Sequence, residues 1–330
     1  MVAGTAAGHP SRVACDGGDT SALAVAPHAQ GSVHALAAVV AREAGELARA
    51  DVVTVVRCDD SGDDARVVTR WSAAGAWGPS THDAVELAAA GAIHREPRRI
   101  VLPIRAVDGL PSASGLVLPL LAGDVVWGAL VVTHLRTHPL RRSTERQLAT
   151  LAELASFGLV DGEGRPRRRR SDVGGGSAGG VSREAIARRA TDAASAVLGG
   201  LLVRMIALDH ALPPAARVMA VASGRPCVRP AVALDVALVS AIGVGERSVR
   251  VADVAADRRF ARVPGFHRWH GAASVPVAVG HDVRGAMTAY GDVRGAPTAA
   301  ATRFLLATAN VVAATLDRPR WGASVEPRRA

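Results

Sequence analysis

The densest collection of side chains able to do chemistry lies between residues 253 and 270. Asp253 and Asp257 stand four apart, Arg258, Arg259 and Phe260 follow at once, and His267 and His270 flank Trp269. Carboxylates placed just past a short apolar run cap the backbone N–H groups of a turn or helix start, and an apolar Phe among them closes a core. Facing a cavity, the same groups would instead hold a ligand. His267 and His270 form a His-x-x-His pair, but a zinc site takes three or four ligands and no Cys or Glu stands beside them. No metal is therefore expected. The ligand-binding candidates are Asp253, Asp257, Arg258, Phe260, His267, Trp269 and His270, with the capping and core reading set against them. No catalytic set is found.

Other constellations are weaker. All 39 residues counted as Lys or Arg are Arg, which removes the lysine of a phosphate loop, the strand lysine of protein kinases and any Schiff-base nucleophile. The glycine-rich stretch 174–180 has no preceding strand, and Gly243 and Gly245 follow a helical pattern, so both read as turn or linker. Cys15, Cys58 and Cys227 are isolated and odd in number, which argues against a disulfide framework and suits a reducing cytoplasm. Trp71, Trp77 and Trp127 read as core, and His82, His94, His134 and His138 are dispersed.

The formal charge of +9 would suit nucleic acid, yet much of it is local. Arg165 and Arg167 to Arg170 sit in a linker-like stretch, and Arg318, Arg320, Arg328 and Arg329 crowd the tail. That run is short and has no aromatic residues for base stacking. Nucleic acid is not the expected partner. The N-terminus has no basic start followed by an apolar run, so no signal peptide is expected. The apolar segment 115–132 contains Pro119 and a turn-like Gly123-Asp124, which makes it a buried hairpin and not a membrane span.

The elements that must carry these residues occur twice. The segment beginning at Pro119 overlies the one beginning at Pro276 without a gap. Pro119, Gly123, Gly128 and Ala129 fall on Pro276, Gly280, Gly285 and Ala286, and the register continues through Arg146, Leu148, Ala152 and Leu159 onto Arg303, Leu305, Ala309 and Leu316. Earlier, residues 41–59 overlie 191–209. Each copy reads as helix, two strands, a central helix, a strand, a loop, a hairpin and a closing helix. Ser32 and Ser182 are the expected N-caps. Strands are expected at 52–57, 65–70 and 99–102 in the first copy and at 201–208, 217–222 and 248–251 in the second. Central helices are expected at 83–91 and 231–242. This is an α+β fold in two domains, 31–159 and 182–317, each a central antiparallel sheet flanked by helices. Residues 1–30, 160–181 and 318–330 have linker composition and are expected to be disordered.

The second copy, with Val251-Ala-Asp253, then Asp257-Arg-Arg-Phe260, then Ser274-Val-Pro-Val277 and Gly285, resembles the GAF family. The first copy carries the late half of that pattern, Leu118-Pro-Leu and Trp127-Gly128, and lacks Asp-x-Arg-Phe. The resemblance covers residues 31–317. It implies a sheet with a pocket beneath the middle loops, regulating an attached or partner module. Oxygen-sensing members hold haem through a histidine near the place of His267, which aligns only after a one-residue shift. The lysine-bearing signature of cyclic-nucleotide members is absent. Cys58 and Cys227 do not match bilin-attachment positions, and the three cysteines are too scattered for the branch that reduces methionine sulfoxide. The cofactor therefore stays unknown, and the pocket is expected to take an unidentified small molecule.

The expected function is a non-catalytic, cytoplasmic sensor or regulator in signal transduction. No output-domain signature follows Leu316, so the effect would pass to a signalling partner. The outer Ala and Val positions of the first and last helices are unusually apolar, and a homodimer through a helical bundle is expected. The alternative is a transcription accessory factor touching nucleic acid through the arginine-rich linker.

Overall fold

The computed structural model describes residues 30–59, 64–73, 87, 90–93, 100–104, 113–122, 125–134, 140–162, 182–209, 215–224, 231–242, 246–260, 262–263, 269–292 and 295–317. The first repeat comprises α1 (Gln30–Ala48), β1 (Val52–Cys58), β2 (Ala65–Ser72), β3 (Ile100–Ile104), β4 (Ala113–Ala122), β5 (Val125–His134) and α2 (Arg142–Gly162). The second comprises α3 (Arg183–Val197), β6 (Leu202–Asp209), β7 (Ala215–Ala222), α4 (Val232–Ser240), β8 (Val249–Val251), β9 (Gly271–Val279), β10 (Asp282–Gly291) and α5 (Ala299–Leu316). Of the central helix expected in the first repeat, Leu87 and residues 90–93 are helical and the remainder lies outside the described residues. So do the three stretches expected to be disordered, apart from the helical ends noted below.

Each repeat folds into its own antiparallel five-stranded sheet, ordered β2-β1-β5-β4-β3 and β7-β6-β10-β9-β8. The match extends to register. Val55 pairs with Thr69 and Leu130, while Met205 pairs with Ala220 and Met287. Leu118 pairs with Leu130 as Val275 pairs with Met287. Each first strand slips once against its hairpin partner, between Val55 and Val56 in one sheet and Met205 and Ile206 in the other. Shared irregularities of this kind mark one backbone plan built twice, because a one-residue slip would turn every later side chain to the wrong face.

Gly128 and Gly285 show why the hairpin pattern repeats. A methyl group built on Gly128 would fall 2.0 Å from the Val56 carbonyl oxygen, and one built on Gly285 would fall 2.2 Å from that of Ile206. Only glycine lets the central strands approach so closely. The apolar segment 115–132 is the expected hairpin, with β4 and β5 paired antiparallel and one slip between Leu120 and Leu121.

Four helices fill the space between the sheets, α1 and α2 on the first sheet and α3 and α5 on the second. There α1, α2, α3 and α5 touch one another across the repeats, while α2 lies on β4, α5 on β9 and α3 on β7. A single buried cluster joins Leu36, Val40, Leu148 and Leu151 of the first repeat to Phe304, Leu305 and Val312 of the second. Each such side chain taken from water contributes about 1.5–3 kcal/mol. Gly158 brings two helices close, since a methyl there would meet Leu36 Cδ2 at 2.5 Å and Thr315 Oγ1 at 2.8 Å. Arg189 lies over the Phe157 ring at 4.0 Å.

The apolar inner faces of these helices are covered within the chain by the other repeat. Two boundaries differ from the expectation. The first helix begins at Gln30, so Ser32 lies inside it and does not cap it, and α2 runs on to Gly162, three residues past the expected domain end. Ser182 does cap α3, its Oγ accepting from the Ala185 N–H at 3.1 Å. Among the described residues, α5 is the one helix long and apolar enough by composition to cross a membrane. Phe304, Leu305, Ala309, Val311 and Val312 are buried, and the helix lies on β9 and the neighbouring helices.

Candidate functional site

The face of the second sheet turned away from the helical layer carries a buried polar network. Alternation along β6 puts Val203 and Met205 on the helical layer and Leu202, Arg204 and Ile206 on the other face. On β10 the residue opposite Leu202 is Tyr290 and the residue opposite Arg204 is Thr288; Thr288 in turn pairs with Ser274 of β9. The helix α4, Val-Ala-Leu-Asp-Val-Ala-Leu-Val-Ser, supplies Asp235 from an otherwise apolar run.

Arg204 forms an ion pair with Asp235, both essentially inaccessible to water. Arg204 Nη2 also donates to the Ala231 carbonyl at 2.9 Å, just before α4 begins. The Tyr290 hydroxyl donates to Asp235 Oδ1 at 2.7 Å, and the Ser274 and Thr288 hydroxyls lie 3.0 Å apart. A buried carboxylate costs several kcal/mol in lost hydration unless partners surround it, and here a guanidinium and a phenol do. Burial still outweighs the pull of Arg204 and pushes the Asp235 carboxyl above its usual range. Burial, with the Asp235 charge adding to it, pushes Tyr290 well above the ordinary phenol value. The network ties α4 to three strands. With its carboxylate engaged by Arg204 and its phenol held as a donor, it has the make-up of a latch and not of a nucleophile with its base.

Around this network the interior is filled by Leu234, Leu238, Phe260, Trp269 and Tyr290. Trp269 tilts against Tyr290 with ring centroids 5.7 Å apart. Its indole N–H is buried and has no hydrogen-bond acceptor among the described residues.

The residues singled out from the sequence divide accordingly. Asp253 caps a turn, its Oδ1 accepting from the N–H groups of Ala255 and Ala256 at 3.1 and 3.3 Å. Asp257 accepts from the Arg259 N–H at 3.0 Å and takes the Arg259 guanidinium in a two-pronged pair. That guanidinium holds the Asp257 carboxyl below its usual range. Arg258 is exposed. Phe260 and Trp269 are core residues of the cluster that holds Tyr290, whereas His270 is half-buried with Nδ1 4.0 Å from Asp253 Oδ1. His267, and with it the haem question, lies outside the described residues. The carboxylates proposed as ligand contacts are thus engaged with their own loop, and the interior site is built from Arg204, Asp235 and Tyr290, which the sequence reading missed. Their signal was present: a charged residue in the middle of an apolar strand, another in an apolar helix, and the chain's one tyrosine.

The first repeat differs at this place. Thr54 stands where Arg204 does and Thr133 where Tyr290 does, and the Thr54 hydroxyl accepts from Arg70 Nε at 3.2 Å. Val56, Cys58, Ile93, Val117 and Val131 fill the same face with apolar atoms. Trp127 is fully buried and Trp71 packs on Gly45, so both are core residues as expected, while Trp77 lies outside the described residues. Among the described residues no three His, Cys, Asp or Glu side chains come together as metal ligands.

Comparison with known proteins follows the same division. Solved structures similar to this chain include the second GAF domain of DevS from Mycobacterium smegmatis, at 24% identity over 40% of this chain and 96% of that one, with a TM-score of 0.33. Also similar are the GAF domain of a phosphoenolpyruvate-protein phosphotransferase from Acinetobacter (15% identity, 55% and 98% covered, TM-score 0.38) and a GAF domain/HD domain protein from Geobacter sulfurreducens (14% identity, 42% and 99% covered, TM-score 0.34). No curated protein matches. The match to a family description covers residues 32–159, from the third residue of α1 to near the end of α2, and that segment is a GAF domain, a module whose relatives serve in sensing and signalling.

Proposed function

We propose that the chain is a non-catalytic sensory or regulatory protein of cytoplasmic signal transduction, with two GAF-like domains that bind a small molecule or engage a partner protein. The observation that carries this reading is the repeat itself. The second half reproduces the strand order, register and strand slip of the half that is a GAF domain, which supports a tandem of the same module. Within the second domain, the Trp269 N–H is a buried donor lacking an acceptor among the described residues, the kind of group a ligand oxygen satisfies. An anionic or carbonyl group entering beneath α4 would compete with Asp235 for Arg204 and loosen α4 from the sheet. Because the helices on one sheet pack against those on the other, such a shift in one domain reaches the other and any signalling partner resting on it. A homodimer through the outer positions of the first and last helices is part of the same reading.

The test is thermal-shift and calorimetric titration of the purified protein against a metabolite and haem panel, together with its absorption spectrum and pull-downs. A ligand that stabilises the wild type and not Trp269→Phe is expected. No binding across the panel and no captured partner would overturn the reading. A transcription accessory role rests on Arg167 to Arg170, outside the described residues. It would require a mobility shift at low salt that vanishes when those four are changed to Gln.

A further inference from the structure

Between the two repeats, at one end of the helical layer, lies an open cleft of about 900 Å³. It is framed by corresponding parts of both copies: the C-terminal ends of α1 and α3, the ends of β5 and β10, and the first turns of α2 and α5. Duplication explains this frame. It does not explain the charge.

Arg49, Arg141 and Arg303 line the cleft, and among the described residues no Asp or Glu does. Two of the three stand where the copies have diverged. Arg49 corresponds to Gly199 of the second repeat, and Arg141 to Thr298. All three side chains are exposed and make no hydrogen bond or ion pair among the described residues. Unpartnered guanidinium groups around one concavity raise the local positive potential and draw anions into it.

Arg49 carries a further mark. It follows α1 in a left-handed conformation, with φ of 52°, and the Ala50 N–H closes the helix by donating to Gly45 O at 3.0 Å. The second repeat makes the same closure, the Gly200 N–H donating to Ser195 O at 2.7 Å, with Gly199 at φ 75° in the left-handed position. Glycine adopts that conformation freely, whereas a side chain there costs about 1 kcal/mol. The first repeat thus places an arginine at a position where its twin shows glycine to be adequate, and the side chain it adds lines the cleft.

We propose that this cleft is an anion-binding site, in which Arg49, Arg141 and Arg303 hold a phosphate-bearing molecule about the size of a nucleotide. A planar guanidinium meets phosphate oxygens in a two-pronged fit, and a cleft of this volume is within the range that encloses ligands of that size. The first turns of α2 and α5, through Ser143, Thr144 and Ala301, add their positive ends. The site is separate from the interior of the second domain and stands whether or not that interior takes a ligand. A bound anion would touch both repeats at once and so stabilise the interface.

The test is calorimetric titration of the full chain with ATP and with pyrophosphate at low ionic strength, where exposed charges are least screened. Arg49→Gly is the decisive variant because Gly199 shows that the fold accepts glycine there. Loss of one charge-assisted contact is expected to weaken binding about tenfold in Arg49→Gly and again in Arg303→Gln. Arg66→Gln on β2, and the set Arg167 to Arg170 all changed to Gln, should leave it unchanged. Absence of binding at low salt would overturn the proposal. So would binding that survives Arg49→Gly with Arg303→Gln, or that disappears with the linker arginines.

Discussion

Glu43 on α1 accepts a hydrogen bond from the side-chain amide of Asn310 on α5 at 2.9 Å, although 267 residues separate them. The same carboxylate oxygen accepts from Arg42 at 2.7 Å, and Glu43 is buried to within 3% of full enclosure. The contact pins the two repeats together inside the helical layer. Asn310→Ala should cost about 1.5–3 kcal/mol, the value of a hydrogen bond to a charged acceptor. A double-mutant cycle with Glu43→Gln, read by urea unfolding, should return a coupling of about 1 kcal/mol. Additive effects would show that the pair does not join the repeats.

The central strands give a sterically stricter prediction. Because a methyl on Gly128 or Gly285 would strike a backbone oxygen, which cannot rotate away as a side chain can, Gly128→Ala and Gly285→Ala should each destabilise by about 3 kcal/mol or more. Equal losses in both repeats would follow from their shared register. A cost under about 1 kcal/mol in either would mean that sheet can open there.

How much of this was legible in the sequence depended on how local the information was. The hairpin and its glycines were readable because a single gapless offset brought Pro119, Gly123 and Gly128 onto Pro276, Gly280 and Gly285. The polar latch was not, because Arg204, Asp235 and Tyr290 come from three distant segments and each alone is an odd polar residue in an apolar run. The helix faces were read as apolar, and their inner sides are covered by the other repeat: periodicity shows that a face must be covered, not which surface covers it. Asp253 and Asp257 were placed correctly beside a turn, and their bonding to Ala255, Ala256 and Arg259 is the capping that the sequence also allowed.

Removing half of the buried pair should cost far more than removing all of it. Asp235→Ala leaves the Arg204 charge enclosed without its carboxylate, a loss of about 3–5 kcal/mol. Replacing both, with Arg204→Met and Asp235→Leu, should recover most of that. The carboxyl also sets a pH dependence. Its folded-state value is raised, so the folded form binds the proton more readily than the unfolded one. Stability from this group is complete below the ordinary carboxylate range and is lost as pH rises through the raised value. The difference in unfolding free energy between wild type and Asp235→Asn, followed upward from pH 4, should fall with pH. A flat difference would sink the assignment.

Tyr290 is the chain's single tyrosine, which makes its titration directly visible. Burial and the Asp235 charge raise its folded value well above 10. Stability from this group is therefore present below the unfolded value and is lost as pH climbs past it toward the raised folded one. Absorbance at the tyrosinate band should stay silent through pH 10 and appear together with loss of near-ultraviolet circular dichroism. Ionisation with an ordinary midpoint in the folded protein would place the phenol in water.

Cys58 offers a last check on the first repeat, whose interior is apolar where the second holds its latch. The Cys58 thiol is fully buried, its Sγ donates weakly to the Ala90 carbonyl at 3.6 Å, and burial together with the Asp59 charge raises its pKa. Since the thiolate is the reactive form, both enclosure and the raised value suppress attack. In a protein carrying Cys15→Ser and Cys227→Ser, a disulfide reagent should therefore react with Cys58 only as fast as the domain opens, and at its full rate in denaturant. If a ligand entered this interior from the side of Leu87 and residues 90–93, it would have to part them from Cys58, and labelling would accelerate on its addition. Prompt labelling of the unliganded protein under native conditions would instead show that this face is not closed.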